Sequence, residues 1–157
     1  MSEKTKIVDD HGNTYTITDN TDEVVDALKL AILRALERCG SQAEGYAKDL
    51  CPVSDTGEKT LQQSITHAID PKANEVYIGT NVEYGAYVEL GTGKYYPGGR
   101  PTPWNYQDEN GDWHHTEGQK AQPYLVPAVL THQQTYRNIF KDELGEDAWA
   151  RFSGWKQ

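Results

Sequence analysis

The side chains in this sequence able to hold a metal, move a proton or attack an electrophile are five histidines, two cysteines and a few serines. A zinc centre needs ligands that converge, usually paired at spacings of about three to five residues. His11, His67, His114, His115 and His132 offer no such pairing. Adjacent His114 and His115 would point to opposite faces of a strand. Neither Cys39 nor Cys51 has a second ligand at such a spacing. His67 and His132 fall on apolar faces, where a packed core or interface histidine is expected. Ser54, Ser64 and Ser153 lack the G-x-S-x-G setting of an activated nucleophile. Gly91-Thr92-Gly93 and Gly98-Gly99-Arg100 are glycine-rich. Neither follows a strand and opens a helix, as a phosphate-cradling loop must. The expectation is a protein with no catalytic residues, no metal and no cofactor.

Contact chemistry is better represented. The chain of 157 residues has ten Tyr and four Trp against two Phe and one Met. Tyr and Trp suit surfaces that are apolar at one end and wet at the other. They concentrate in residues 91–122, a stretch rich in glycine and with Pro97, Pro101 and Pro103. Tyr95, Tyr96, Trp104, Tyr106 and Trp113 lie here. Long irregular segments inside a domain are usually functional or disordered, and disordered ones are poor in aromatics. The stretch reads as an arm that orders against a partner. Trp149, Phe152 and Trp155, at spacing three, are too many large aromatics for a loose terminus. They either fold back or dock on another chain.

Charge and composition narrow the partners. There are 24 acidic and 15 basic residues, a formal net charge of −9, and only 36% hydrophobic residues. No basic stripe is available to grip phosphates. No apolar run approaches the ~18 residues of a membrane span. Met1-Ser2-Glu3-Lys4 leads into polar sequence without the pattern of a signal peptide. Cys39 and Cys51 lie on one helix, separated by roughly 18 Å at 1.5 Å per residue, too far to bridge. Reduced thiols and cytoplasmic synthesis are the expectation.

The elements that position these groups follow from periodicity. Residues 4–18 read as a hairpin turning at Asp10-His11-Gly12-Asn13. Residues 21–50 read as a helix, with Asn20 and Glu23 in capping-box spacing. Val25, Leu28, Ile32, Ala35, Leu36, Cys39, Ala43 and Ala47 form its apolar stripe. The later half of that stripe is small, so something packs close, most simply a sheet. Cys51-Pro52 ends the helix. Asp55 and Glu58 suggest a cap for a short helix over 57–63. Ile65, His67 and Ile69 alternate as a strand, Asp70-Pro71-Lys72-Ala73-Asn74 turns, and Val76–Gly79 returns. Tyr84, Tyr87 and Val88 share helical spacing up to Gly91. Asp108-Glu109-Asn110-Gly111-Asp112 turns a hairpin between 103–107 and 112–116. Residues 124–144 read as one helix, with Pro123 and Pro127 near its start and Gly145 at its end. The expected fold is one α+β domain: two long helices on a small, mostly antiparallel sheet, with a long arm. Its parts are 1–20, 21–90, 91–122, 123–145 and 146–157.

Four stretches in order carry a resemblance. They are Cys51-Pro52-Val53 with Asp55-Thr56-Gly57 and Leu61–Ile65, then Val76–Asn81, then Tyr84–Gly93, then Gly118–Ala128. Together they resemble the tail-component family of long-tailed bacteriophages and prophages, over about residues 22–142. Matching positions include Asp55, Thr56, Gly57, Tyr84, Tyr87, Glu89, Gly91, Thr92, Pro123, Leu125 and Pro127. Ser54 and Glu58-Lys59-Thr60 lengthen the first stretch relative to the family pattern. Gly85 stands where alanine is usual, and Val126 where arginine is usual.

The resemblance implies a structural virion protein rather than an enzyme. It implies a ring at the head-proximal end of the tail that terminates or completes the tube and meets the head connector. Implied partners are further copies of the chain, six to a ring, a tail tube protein and a head connector or stopper protein. DNA would cross the lumen without specific binding, and no membrane is involved. Six copies would carry a formal charge of six times −9, or −54, which keeps phosphates from catching. The virion is the expected location, after assembly in the host cytoplasm. Tyr84, Tyr87 and Leu90 are expected to pack their segment onto the sheet. Tyr95, Tyr96, Trp104, Tyr106, Trp113, Trp149 and Trp155 are the expected contacts to a neighbouring subunit or the tube. A head-side adaptor or stopper is the alternative within virion proteins. From other classes, a carbohydrate-binding module and, last, a metal-dependent hydrolase stay open.

Overall fold

The computed structural model describes residues 3–53, 60–108 and 110–145. Asp55, Thr56, Gly57, Trp149 and Trp155 therefore lie outside the described residues. The order of elements is β1 (Glu3–Val8), β2 (Thr14–Asp19), α1 (Thr21–Leu50), α2 (Thr60–Ser64), β3 (Thr66–Asp70) and β4 (Glu75–Gly79). There follow α3 (Gly85–Leu90), a 3-10 turn (Gly93–Tyr95), β5 (Trp104–Gln107), β6 (Trp113–Thr116), α4 (Leu125–Leu130) and α5 (Gln133–Leu144). The fold is α+β, as the sequence predicts. Among the described residues the strands form three separate antiparallel hairpins, β1–β2, β3–β4 and β5–β6, rather than one sheet.

Each hairpin is set by its turn. Asp9 Oδ1 accepts the backbone N–H groups of His11 and Asn13 at 2.9 and 2.8 Å. Asp70 Oδ1 accepts those of Lys72 and Ala73 at 2.9 and 3.2 Å, and Asn74 takes the left-handed conformation that asparagine tolerates. Asp108 Oδ1 accepts those of Asn110 and Asp112, both at 2.9 Å. The same device, a carboxylate capturing amides two to four residues ahead, recurs in all three.

α1 is the axis of the molecule, and α5, β3, β4, α4 and α2 all pack against it. Its start departs from the expected capping box. Asn20 makes no side-chain cap bond. Asp19 takes that place, its Oδ1 accepting Thr21 N at 2.9 Å and Thr21 Oγ1 at 2.5 Å. At the other end Cys51 is extended before Pro52, and Gln62 Nε2 donates to the freed Lys48 carbonyl at 2.8 Å.

The core is built from small residues. Ala47, Cys51, Leu61, Ile65, Tyr124 and Ala128 form one buried cluster, and Ala35, Cys39 and Ile139 a second. Tyr124 and Ile65 are the largest fully buried side chains among the described residues. Small residues on α1 let β3 and β4 approach closely, as the small second half of its stripe predicts. At Gly40 an added Cβ would lie 2.4 Å from His67 Cδ2 and 2.8 Å from Val76 Cγ2.

His67 is thereby held across α1. Its Nδ1 lies 2.6 Å from Glu44 Oε2 and its Nε2 3.3 Å from Glu37 Oε1. Lys48 Nζ reaches the other Glu44 oxygen at 2.5 Å. Hydrogen bonding to Glu44, and less so to Glu37, raises the His67 pKa above its ordinary value.

The expected single helix over 124–144 is two helices. Thr131 Oγ1 donates to the Pro127 carbonyl at 2.7 Å, a contact that bends helices. Tyr136 Oη and His132 Nδ1 both reach the Ala128 carbonyl, at 2.7 and 3.1 Å. That carbonyl would serve the ladder in a continuous helix. The chain turns at Thr131-His132 instead, and the His132 ring stacks on Tyr46 of α1 with centroids 3.5 Å apart. α5 then runs antiparallel to α1, where Glu143 accepts from Arg38 Nη1 at 2.9 Å and Arg34 Nε at 3.2 Å.

Candidate assembly interface

α3 carries an inverted pattern of burial. Glu89 is only 8% exposed, whereas Tyr84, Tyr87 and Leu90 are 47%, 60% and 51% exposed. The expectation that these three pack onto the sheet is thus corrected. A helix of six residues has one buried face, and here a carboxylate fills it.

Glu89 stays there because it closes the start of α4. Its Oε2 accepts the backbone N–H groups of Tyr124 and Leu125 at 2.7 and 2.9 Å, and its Oε1 that of Val126 at 3.0 Å. The next residue, Pro127, has no N–H. Every donor that a helix leaves unpaired at its beginning is therefore either bonded to Glu89 or absent. The negative carboxylate also faces the positive end of the helix dipole.

Beneath it, Tyr124 is fully buried and its hydroxyl donates to the Gly85 carbonyl at 3.4 Å. Burial pushes that hydroxyl's pKa up to about 12. A Cβ at Gly85 would lie 2.6 Å from Thr80 Cγ2 and 3.0 Å from Tyr124 Oη. This explains the glycine where the family pattern has alanine. Thr80 is fixed in turn, its Oγ1 lying 2.5 Å from Ser64 Oγ and accepting Val82 N at 3.1 Å.

The chain after α3 is clasped to the chain before α4. Gln122 N donates to Val88 O at 2.8 Å, Thr92 N to Gln119 O at 2.8 Å and Lys94 N to Glu117 O at 3.1 Å. Gln119 N returns a bond to Thr92 Oγ1 at 2.9 Å. An ion pair between Lys94 and Glu117 sits at the edge. Gly93 makes the crossing possible. It has φ +60°, and a Cβ there would meet Glu117 O at 2.3 Å.

Residues 95–116 are thus an excursion whose two ends are fastened together. Its aromatics sit outward: Trp113 is 72% exposed, Tyr106 48%, Tyr96 43% and Tyr95 38%, with Trp104 half-buried. Arg100 lies over the Trp104 ring, Lys94 and Lys120 lie beside Tyr95, and Tyr106 stacks with His114. Against the clasp lies a depression of about 320 Å³ lined by Ala86, Tyr87, Leu90, Gly93 and Tyr96. A second, of about 470 Å³, shares Ala86 and Leu90 and extends to Val82, Tyr124 and Leu125.

The other expected positions are distributed more plainly. Gly91 is buried at the clasp, Leu125 and Pro127 are half-buried, and Pro123 is exposed. Cys39 and Cys51 are both free and buried. Burial raises the Cys39 thiol to about 11 and the Cys51 thiol in the same direction, which disfavours the nucleophilic thiolate. Among the described residues no three His, Cys, Asp or Glu side chains converge as metal ligands. No helix among them is long and apolar enough to cross a membrane. What the surface offers is apolar and aromatic contact area on a rigid base.

Sequence reasoning places Glu89 in a motif without giving it a role. A lone acid between Val88 and Leu90, with a proline at the third position of a downstream helix, is the pattern that could have disclosed it.

No curated protein and no solved structure matches the chain. Residues 16–91, which run from β2 to the end of α3, match the family model described as "Bacteriophage HK97-gp10, putative tail-component". The match ends at Gly91, so the clasp partner 117–122, the arm and α4 lie beyond it. Over residues 16–91, just under half its length, the chain is thus similar to the HK97-gp10-like family of putative phage tail components.

Proposed function

We propose that this chain is a structural protein of the head–tail junction, forming a ring that completes or terminates the tail tube and meets the head connector. The family match supports a tail structural role and assembly with other virion proteins. The observation that carries the finer reading is the outward face of α3 inside the matched segment. Tyr84, Tyr87 and Leu90 are exposed, while the helix is fastened from beneath by Glu89. Exposed aromatic and aliphatic groups on a rigid base are what a subunit contact needs.

In this reading the chain works by contact rather than catalysis and takes no cofactor. The α3 face meets a neighbouring copy, and the arm, with Trp104, Tyr106 and Trp113, reaches the tube or the next subunit. A closed ring needs two different patches on each subunit, and α3 and the arm tip are two such patches. The net charge of −9 suits a lumen that DNA traverses without sticking.

The test is the pair of variants Tyr87→Asp and Leu90→Asp in the phage. Both positions are exposed, so the isolated protein should fold normally. Head–tail joining should fail, giving filled heads beside detached tails. Normal yields of joined particles from both variants would reject the α3 face as the contact.

A further inference from the structure

Among the described residues β1 and β2 pair only with each other, and neither packs substantially on another element. Every side chain described between Lys4 and Thr18 is exposed except that of Asp9. A two-stranded hairpin standing alone is marginal in water, and three or more strands are needed for independent stability.

The two outer edges of this hairpin differ. β1 carries Glu3, Lys4 and Lys6, charges of the kind that keep an edge from pairing. β2 runs Thr14-Tyr15-Thr16-Ile17-Thr18 with no charge, proline or glycine before Asp19. Asp9 N donates to Asn13 O at 3.0 Å, which sets the alternation of the ladder. Val8 then faces Thr14 as an unbonded pair, and Ile7 faces Tyr15 as a bonded one. Thr14, Thr16 and Thr18 therefore turn their backbone N–H and C=O groups to the open side of β2. No strand among the described residues meets them there.

That row is complementary to itself. Laid antiparallel on a second copy about Thr16, Thr14 meets Thr18, Tyr15 meets Ile17, and Thr16 meets Thr16. In this register all three outward threonines find an outward partner, each pair exchanging two N–H···O bonds. The next pair is Asn13 with Asp19, so no like charges stand directly opposed. Attraction between charges does not drive the contact. Residues 3–19 carry Lys4 and Lys6 against Glu3, Asp9, Asp10 and Asp19, so two hairpins repel weakly at long range.

We propose that β2 pairs antiparallel with β2 of a second copy about a two-fold axis at Thr16, giving a four-stranded sheet in the order β1-β2-β2-β1. One patch serves both copies, as an isologous contact requires. Ile7 and Tyr15, opposite each other and 47% and 55% exposed, then line one face of a sheet wide enough to be stable. This pairing is independent of where in a virion the protein acts.

The experiment uses the full chain, with mass by light scattering over a range of concentrations and single cysteines for register. A dimer that dissociates on dilution is expected, and added salt should raise its fraction by screening the repulsion. Thr16→Lys sets two like charges against each other at the axis and should give a monomer with an unchanged far-UV spectrum. Bonded antiparallel partners lie about 5.5 Å apart between Cα atoms, within reach of a disulfide. Thr16→Cys should therefore cross-link under mild oxidation several-fold more than Thr14→Cys or Thr18→Cys. Each of those lies four residues, about 13 Å along the strand, from its own mate. Mixed Thr14→Cys and Thr18→Cys chains should link to each other. Wild-type protein, with Cys39 and Cys51 buried, is the blank. A monomer at every concentration together with no preference among the three cysteines would overturn the proposal and leave the edge to a strand of another protein. A dimer untouched by Thr16→Lys, or one that salt dissociates, would overturn it in favour of another face. Should Thr16→Lys disturb the fold, the cysteine pattern decides.

Discussion

Glu89 Oε2 lies 2.7 Å from the backbone nitrogen of Tyr124, thirty-five positions along the chain. This contact joins the last helix of the family-matched segment to the first helix beyond it. It also explains why a charged residue is buried while its apolar neighbours face outward.

Removing the carboxylate leaves three buried or half-buried N–H groups without a partner. Glu89→Ala should lower the unfolding free energy by about 3 kcal/mol, since hydrogen bonds to a charged group are worth about 1.5–3 kcal/mol each and do not add fully. Glu89→Gln, which keeps one accepting oxygen, should cost less. Urea unfolding of the three proteins checks the order. A loss below about 1 kcal/mol for Glu89→Ala would contradict the role of this contact.

Restoring the family's alanine should be harmful here. Gly85→Ala places a Cβ 2.6 Å from Thr80 Cγ2, an overpacking change that typically costs about 1–3 kcal/mol. Thr80→Ser keeps the hydroxyl bonded to Ser64 and removes the clashing methyl. The double variant should recover most of the lost stability in thermal unfolding. Equal stability of single and double variants would show that the Thr80 methyl is not the obstacle.

The His67 contacts give stability a pH dependence of known sign. The folded-state pKa lies above the ordinary 6.5, first because of Glu44 and then Glu37. The unfolded state therefore loses its proton first as pH rises. The contribution is complete below about 6.5 and is lost as pH climbs through the raised folded value. Glu44 is shifted down by Lys48 and His67, so its own contribution is lost as pH falls from about 4.5. Denaturant unfolding should show stability declining above neutrality, and His67→Gln should flatten that limb. An unchanged slope in His67→Gln would assign it elsewhere.

The arm should matter to assembly and not to folding. Trp113 is 72% exposed, and exposed substitutions usually change stability by less than about 0.5 kcal/mol. An anchoring tryptophan in an interface is worth about 2 kcal/mol or more. Trp113→Ala should keep its melting temperature and lower the yield of joined particles in the phage. Unchanged yield from Trp113→Ala and Trp104→Ala would remove the arm from the interface.

Where a residue's neighbours along the chain decide its conformation, the sequence was readable. The spacing of Ala35, Cys39, Ala43 and Ala47 gave α1, and the turn residues at 10–13, 70–74 and 108–112 gave the hairpins, although at the first turn Asp9 rather than Asp10 captures the amides. Where partners lie far off in sequence, it was not. The break at Thr131-His132 arises because the side chain of Tyr136 takes a carbonyl that a helical period would assign to the ladder. The spacing of Tyr84 and Tyr87 put them on one face, yet no local pattern says that face is the outer one. That depends on Glu89 finding the amides of 124–126, and a burial rule based on hydrophobicity points the opposite way. Capping shows the same limit on a small scale, with Asp19 rather than Asn20 serving α1.

A structural role at the upper end of the tail is tested most directly by deletion of the gene followed by negative-stain microscopy of the lysate. DNA-filled heads beside unattached tails of irregular length are expected, with joining restored by the wild-type protein supplied in trans. Intact particles of uniform tail length at normal yield would contradict it.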